Sequence, residues 1–505
     1  MTRKVLRFAG ITMVLSCVLT IFSCRQQLKY EPDEEIVAKV GDKTISVNEF
    51  IKRAEYTIRP NYVKMDYPIQ KQIILNSLIA EKLFALEGEE HSQLLQNERF
   101  QAFIKGRMEQ TMRYFMYQSE AKDKIHLTDE EIKEKYQLAG RTYRVRYFSL
   151  EDSAKARQVA DVLSKGEISF EAMYEELSGT SEPQIKEVSW GDKENPQVMD
   201  ALFNKSLSKD QVLPPLQMDD GYSLFMKVDG WTDSHILNEE GMKQRWNDVR
   251  EKLIIQKANK AWAQQVAEVM RGKEIVFHEN TFMKLVDLLG PQYYRTSDEV
   301  KGAFKQNMWN QEAYEVVMKS LDDPNFVNEP FFKLDGKTWT VSEFRMLLES
   351  HPLAFRKQHF PKSDFAEQFK LAAVDLVRDY YMTQEAYRKG YDKANVVKRE
   401  KMMWQDAFVA KEYRQKFLQE KHETRSFGKE YLNIMKDYLN SDVQQLQQKY
   451  TDVIEINTDL FDTIDITRID MYATYQDAPY RTIVPEFPIY TTEHRFNYGH
   501  KMKTR

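Results

Sequence analysis

Lys39-Val40-Gly41-Asp42-Lys43-Thr44-Ile45-Ser46-Val47-Asn48-Glu49-Phe50 is written a second time as Lys333-Leu334-Asp335-Gly336-Lys337-Thr338-Trp339-Thr340-Val341-Ser342-Glu343-Phe344. Every position matches in identity or in kind, with Gly and Asp exchanged at the turn. An apolar pair enters a Gly/Asp turn and a Lys-Thr-apolar step leaves it, the pattern of a small hairpin. Ser46 with Glu49, and Thr340 with Glu343, then have the spacing of a capping box. Each copy therefore reads as a hairpin running into a capped helix. An internal repeat means that one structural unit is used twice, and that a segment found in one copy only is an insertion.

Working outward, Tyr67 to Glu90 carries Ile69, Ile73, Ile74, Leu78, Leu83 and Leu86 at helical spacing, and Phe100 to Lys122 is a second helix. Asp364 to Lys389 and Ala394 to Glu420 are their counterparts. Thr128 and Glu131 cap a further helix. Each copy closes alike, with 273–282 matching 451–460 as a short strand, a polar turn and a helix start. Long helices precede these, over 239–271 and 427–450. The segment 140–232 occurs in one copy only and alternates strand and helix: strands at 143–150 and 221–228, helices at 152–165, 170–177 and 195–205. The expected fold class is α+β, mainly α. The expected domains are a first helical unit of 36–139 plus 233–290, the insert 140–232, a second helical unit 291–471, and an irregular tail 472–505 with Pro479, Pro485 and Pro488.

The N-terminus has a basic start (Arg3, Lys4, Arg7) and an apolar run from Ile11 to Phe22. The run is too short for a spanning helix and reads as a secretory signal over 1–23. Ile21-Phe22-Ser23-Cys24 resembles a bacterial lipobox, which implies cleavage before Cys24 and lipid attachment to its thiol. An ordinary signal peptide with an incidental cysteine is the alternative. Residues 24–35 read as a polar tether. After cleavage Cys24 is the only cysteine, so no internal disulfide is expected. Charged residues make up 30% and net charge is only −5. That mixture lacks the basic face that nucleic acid needs.

Chemistry-bearing patterns are sparse. The His residues are scattered, no metal set is expected, no phosphate loop appears, and no cofactor is expected. His351 and His359 read as surface residues. The second helices are rich in Met and aromatics: Met112, Phe115 and Met116 in one, Met402, Met403 and Trp404 in the other. These read either as core or as an adaptable apolar surface for peptides.

The order of parts in the insert is a strand, a helix, Gly166-Glu167-Ile168-Ser169-Phe170-Glu171, Ser189-Trp190-Gly191, Ala201-Leu202-Phe203, Val212-Leu213-Pro214-Pro215 and Gly221-Tyr222. This order resembles a parvulin-type (PpiC-type) prolyl isomerase domain. Set between hairpin-helix units behind a lipoprotein start, it resembles the SurA/PrsA class of extracytoplasmic folding chaperones. The resemblance implies catalytic positions at Tyr147, Thr180, Glu194, Val198 and Ser223. The family commonly has His where Tyr147 and Ser223 stand, so the insert is expected to be a degenerate isomerase. The implied function is a periplasmic, membrane-anchored holdase for unfolded exported proteins. Arg25 after Cys24 points toward the outer membrane in a two-membrane cell. The alternatives are an active peptidyl-prolyl isomerase, or a lipoprotein dedicated to one partner in an envelope machine.

Overall fold

The structure, a computed structural model, describes residues 35–502 except 65–66, 181, 193, 219–220, 294–320, 322–323, 352, 358–359, 468–469 and 472–478. The signal, Cys24, most of the tether and His359 lie outside the described residues. The fold is mainly α with small sheets. The described residues gather into two units, one within 35–119, 265–471 and 480–502, the other within 120–264 together with Pro479.

In the first unit, β1 (Ile36–Val40) and β2 (Lys43–Ser46) form the first hairpin, and Gly41 at φ 62° makes its turn. α1 (Val47–Glu55) follows, with the Ser46 hydroxyl accepting from the Glu49 N–H at 3.1 Å. The Glu49 carboxylate pairs with Lys82 at 2.9 Å, so burial directs that side chain across the core. Two long helices follow, α2 (Tyr67–Gly88) and α3 (Glu98–Glu120).

The second hairpin is β8 (Pro330–Leu334) and β9 (Lys337–Thr340), with Asp335 and Gly336 both at positive φ, the backbone that two-residue hairpin turns require. Its helix is α10 (Val341–Ser350), where Thr340 and Glu343 make the full reciprocal capping box. α11 (Phe365–Arg388) and α12 (Asn395–Glu420) are its long helices. The expected 427–450 helix is divided into α13 (Phe427–Ile434), a π-helical turn at Met435–Leu439 and α14 (Asn440–Lys449).

Closing strands cross between the hairpins. β10 (Ile454–Ile456), late in the chain, pairs antiparallel with β1. β7 (Ile275–Phe277), which follows the first set of helices, pairs antiparallel with β8 of the second hairpin. Apolar cores form beside both sheets. One joins Phe50, Ile74, Leu78 and Phe84 to Val409, Ile434, Leu446 and Phe461, and the other joins Leu285 and Leu289 of α9 (Glu279–Tyr293) to Phe331, Phe344, Phe365 and Phe369.

The described part of the tail is irregular, apart from its last strand, and packed. Val484, Phe487 and Tyr490 are buried, and β11 (His500–Lys501) adds parallel to β10. Asn76 donates to the Glu493 carbonyl at 3.0 Å.

Candidate functional site

The second unit is built on a four-stranded antiparallel sheet, ordered β4 (Gln184–Ser189), β3 (Arg141–Leu150), β6 (Ser223–Asp233), β5 (Leu216–Gln217). β4 and β5 are the elements the sequence concealed, since four of β4's six positions are exposed and β5 has two residues. α5 (Ser153–Lys165) is capped by Asp152 and ended by Gly166 at φ 69°. With α6 (Phe170–Ser178) it covers one face, around Phe148, Phe170, Met173 and Phe225. The other face packs on α4 (Asp129–Ala139), α7 (Pro196–Phe203) and α8 (Glu239–Met270), around Tyr143, Val145, Trp190, Phe203, Met226 and Leu253.

The sheet separates the two positions where the resemblance implies histidines. Tyr147 lies opposite Met226 and Gln184 and packs, half-buried, on the α4/α7/α8 face. Ser223 lies opposite Leu150, which packs on the α5/α6 face. Alternation along paired strands puts the two residues on opposite faces. The buried Ser223 hydroxyl donates to Gln217 Oε1 at 3.1 Å.

Tyr147 does share its face with two other implied positions. Val198 is buried in the same cluster. Glu194 ion-pairs with Lys186, whose register partner Val145 is on that face. Hydrogen bonding to Glu194 holds the Lys186 ammonium above its ordinary range, and Tyr147 adds to the effect. Thr180 stands apart in an exposed turn after α6, its N–H donating to Ser178 Oγ at 3.2 Å. A phenol, an ion pair and a valine can hold an apolar residue against the sheet. They do not form the His-based polar set that the resemblance implies.

Sequence reasoning missed the charged cluster under α6. Arg146 Nε donates to both Asp229 oxygens at 2.9 and 3.0 Å, and Lys227 pairs with Glu171 at 2.8 Å. The signal was present in the alternating charges of both strands. Of the Met/aromatic residues named above, Met112, Met116, Met403 and Trp404 are buried, Phe115 is half-buried against Tyr391, and Met402 is exposed. His351, expected at the surface, is mostly buried, with Nε2 2.7 Å from Glu109 Oε2.

Residues 127–244 match the family model described as a PPIC-type PPIASE domain. No curated protein matches the chain. Among solved structures, peptidylprolyl isomerase PrsA from Bacillus anthracis is similar at 15% identity and TM-score 0.20, covering 38% of this chain and 96% of that one. PrsA from Bacillus cereus stands at 14% and 0.19, covering 58% and 100%. Foldase protein PrsA from Streptococcus pneumoniae stands at 16% and 0.18, covering 44% and 91%. The family match, falling on the sheet-and-helix unit just described, makes residues 127–244 of this chain a PPIC-type domain.

Proposed function

We propose that the protein is an envelope-located, ATP-independent folding chaperone of the SurA/PrsA type. It holds unfolded exported chains by reversible burial of their apolar segments, and its PPIC-type domain serves for binding or shape. Weak reversible capture lowers the free concentration of aggregation-prone species without an energy source. The observation that carries the chaperone reading is the PPIC-type match at 127–244. The loss of isomerase chemistry is supported by the placement of Tyr147 and Ser223 on opposite faces. Anchoring through a lipid on Cys24, in the outer membrane of a two-membrane cell, completes the proposal. A two-chain lipid gives durable attachment where one chain does not.

A second reading is favoured by the same family match, namely slow prolyl isomerisation by the insert. One preparation tests both. Aggregation of a denatured model protein and isomerisation of an X–Pro peptide are followed with the purified chain. Suppressed aggregation with no rate above the uncatalysed one supports the proposal. A rate lost in Tyr147→Phe supports the isomerase reading instead. If neither activity appears, the general chaperone reading is wrong, and a single stoichiometric envelope partner is sought by pull-down. For the anchor, Cys24→Ser is expected to move the protein from the membrane fraction to the soluble one.

A further inference from the structure

In the first unit a crevice opens where α1, α3, α12 and residues 481–483 meet. Its lining includes Lys52, Arg107, Tyr114, Glu400, Trp404 and Arg481. Lys52 donates to Glu400. Arg107 is 5% exposed, and its guanidinium carbon stands 5.3 Å from the Phe103 ring centre and 5.5 Å from that of Trp404. Burial, with the like charge of Arg113, pulls Arg107 down to about 9. The lining thus brings three cationic side chains and one carboxylate to one place, beside the apolar surfaces of Trp404 and Ile483.

Such a crevice selects an anion of a particular kind. A guanidinium presents a planar fork that matches a carboxylate. Aromatic walls exclude water and strengthen the attraction. Glu400 in the wall disfavours a second negative charge on the ligand, and the apolar wall receives an aliphatic group. We propose that this crevice binds a monocarboxylate that carries an aliphatic side chain. That chemistry is shared by the free chain end of a peptide and by a small N-acylated amino acid.

Titration calorimetry on the purified full chain tests the proposal with N-acetyl-leucine and its uncharged amide. The acid is expected to bind saturably and the amide at least about tenfold more weakly, since it lacks the charge that the arginines recognise. Arg481 is exposed, so Arg481→Ala is expected to weaken the acid by about tenfold, a typical loss for one charge-assisted contact, with the unfolding temperature unchanged. A leucine-ended peptide that binds more tightly than N-acetyl-leucine assigns the site to peptide ends. Equal affinity assigns it to the small acid. Equal binding of acid and amide, absence of saturable binding, or unchanged binding in Arg481→Ala overturns the proposal. The acid–amide comparison reads the crevice alone, whatever the aggregation assay gives.

Discussion

Asp406 joins two buried ammonium groups in the first unit. It is 2% exposed and accepts from Lys43 at 2.9 Å and from Lys82 at 3.1 Å, both also buried. Burial opposes the charge on Lys82, but Glu49 and Asp406 outweigh it and hold the ammonium above its ordinary range. Removing one member of such a set leaves buried charge uncompensated. Asp406→Asn is expected to destabilise the first unit by about 3–5 kcal/mol, read as a lower urea midpoint at constant slope. The His351–Glu109 pair gives a pH effect. Burial lowers His351 below 6.5 despite the Glu109 hydrogen bond. Burial raises Glu109, but His351, Tyr387 and Lys105 together bring it below 4.5. Arg113 and Asp379 also act on His351, in opposite directions. Both groups bind protons more readily when unfolded, so their contribution is full above pH 6.5 and is lost as pH falls. Stability between pH 7 and 4 is expected to fall less steeply in a Glu109→Gln, His351→Gln double variant, as measured by urea unfolding across that range.

The meeting of α3 with the end of α10 depends on a missing side chain. A Cβ on Gly106 would stand 1.7 Å from the Ser350 carbonyl oxygen, and that backbone must move to admit it. Gly106→Ala is expected to cost about 1–3 kcal/mol through overpacking. Gly428→Ala, with nothing within 4 Å, serves as the control. Thermal unfolding of the two variants separates these outcomes. The capping boxes work at the same scale. Thr340→Ala removes an acceptor for the Glu343 N–H and is expected to cost about 1 kcal/mol.

Taken as a whole, the first unit is tied together by strands that cross between its hairpins and by its final segment. A chain stopped after residue 478 loses Val484, Phe487, Tyr490 and β11 from the packed body. Each large apolar side chain buried contributes roughly 1.5–3 kcal/mol. The shortened chain is therefore expected to unfold at a markedly lower denaturant concentration. Hydrogen exchange at the β10 amides should rise with it, since β11 pairs with that strand. Unchanged protection of β10 would show that the segment is an ornament on the surface.

The sequence by itself determined most of the local elements, though not β4, β5 or the π-helical break at Met435–Leu439, because hairpin turns, caps and helical periodicity are written in neighbouring residues. The Gly/Asp turns, Thr340 with Glu343, and Thr128 with Glu131 were all legible. The order of parts in the insert was likewise enough to indicate the PPIC-type domain. Tertiary structure decided what lies far apart in the chain. It pairs β10 with β1 and β7 with β8, choices between two similar hairpins that no local signal distinguishes. It draws Glu49 across to Lys82 and His351 to Glu109. It also sets the register of β3 against β6, which sends Tyr147 and Ser223 to opposite faces of the sheet. Side chains alternate with period two, so a candidate site on paired strands depends on register, and register is settled only when the whole sheet packs.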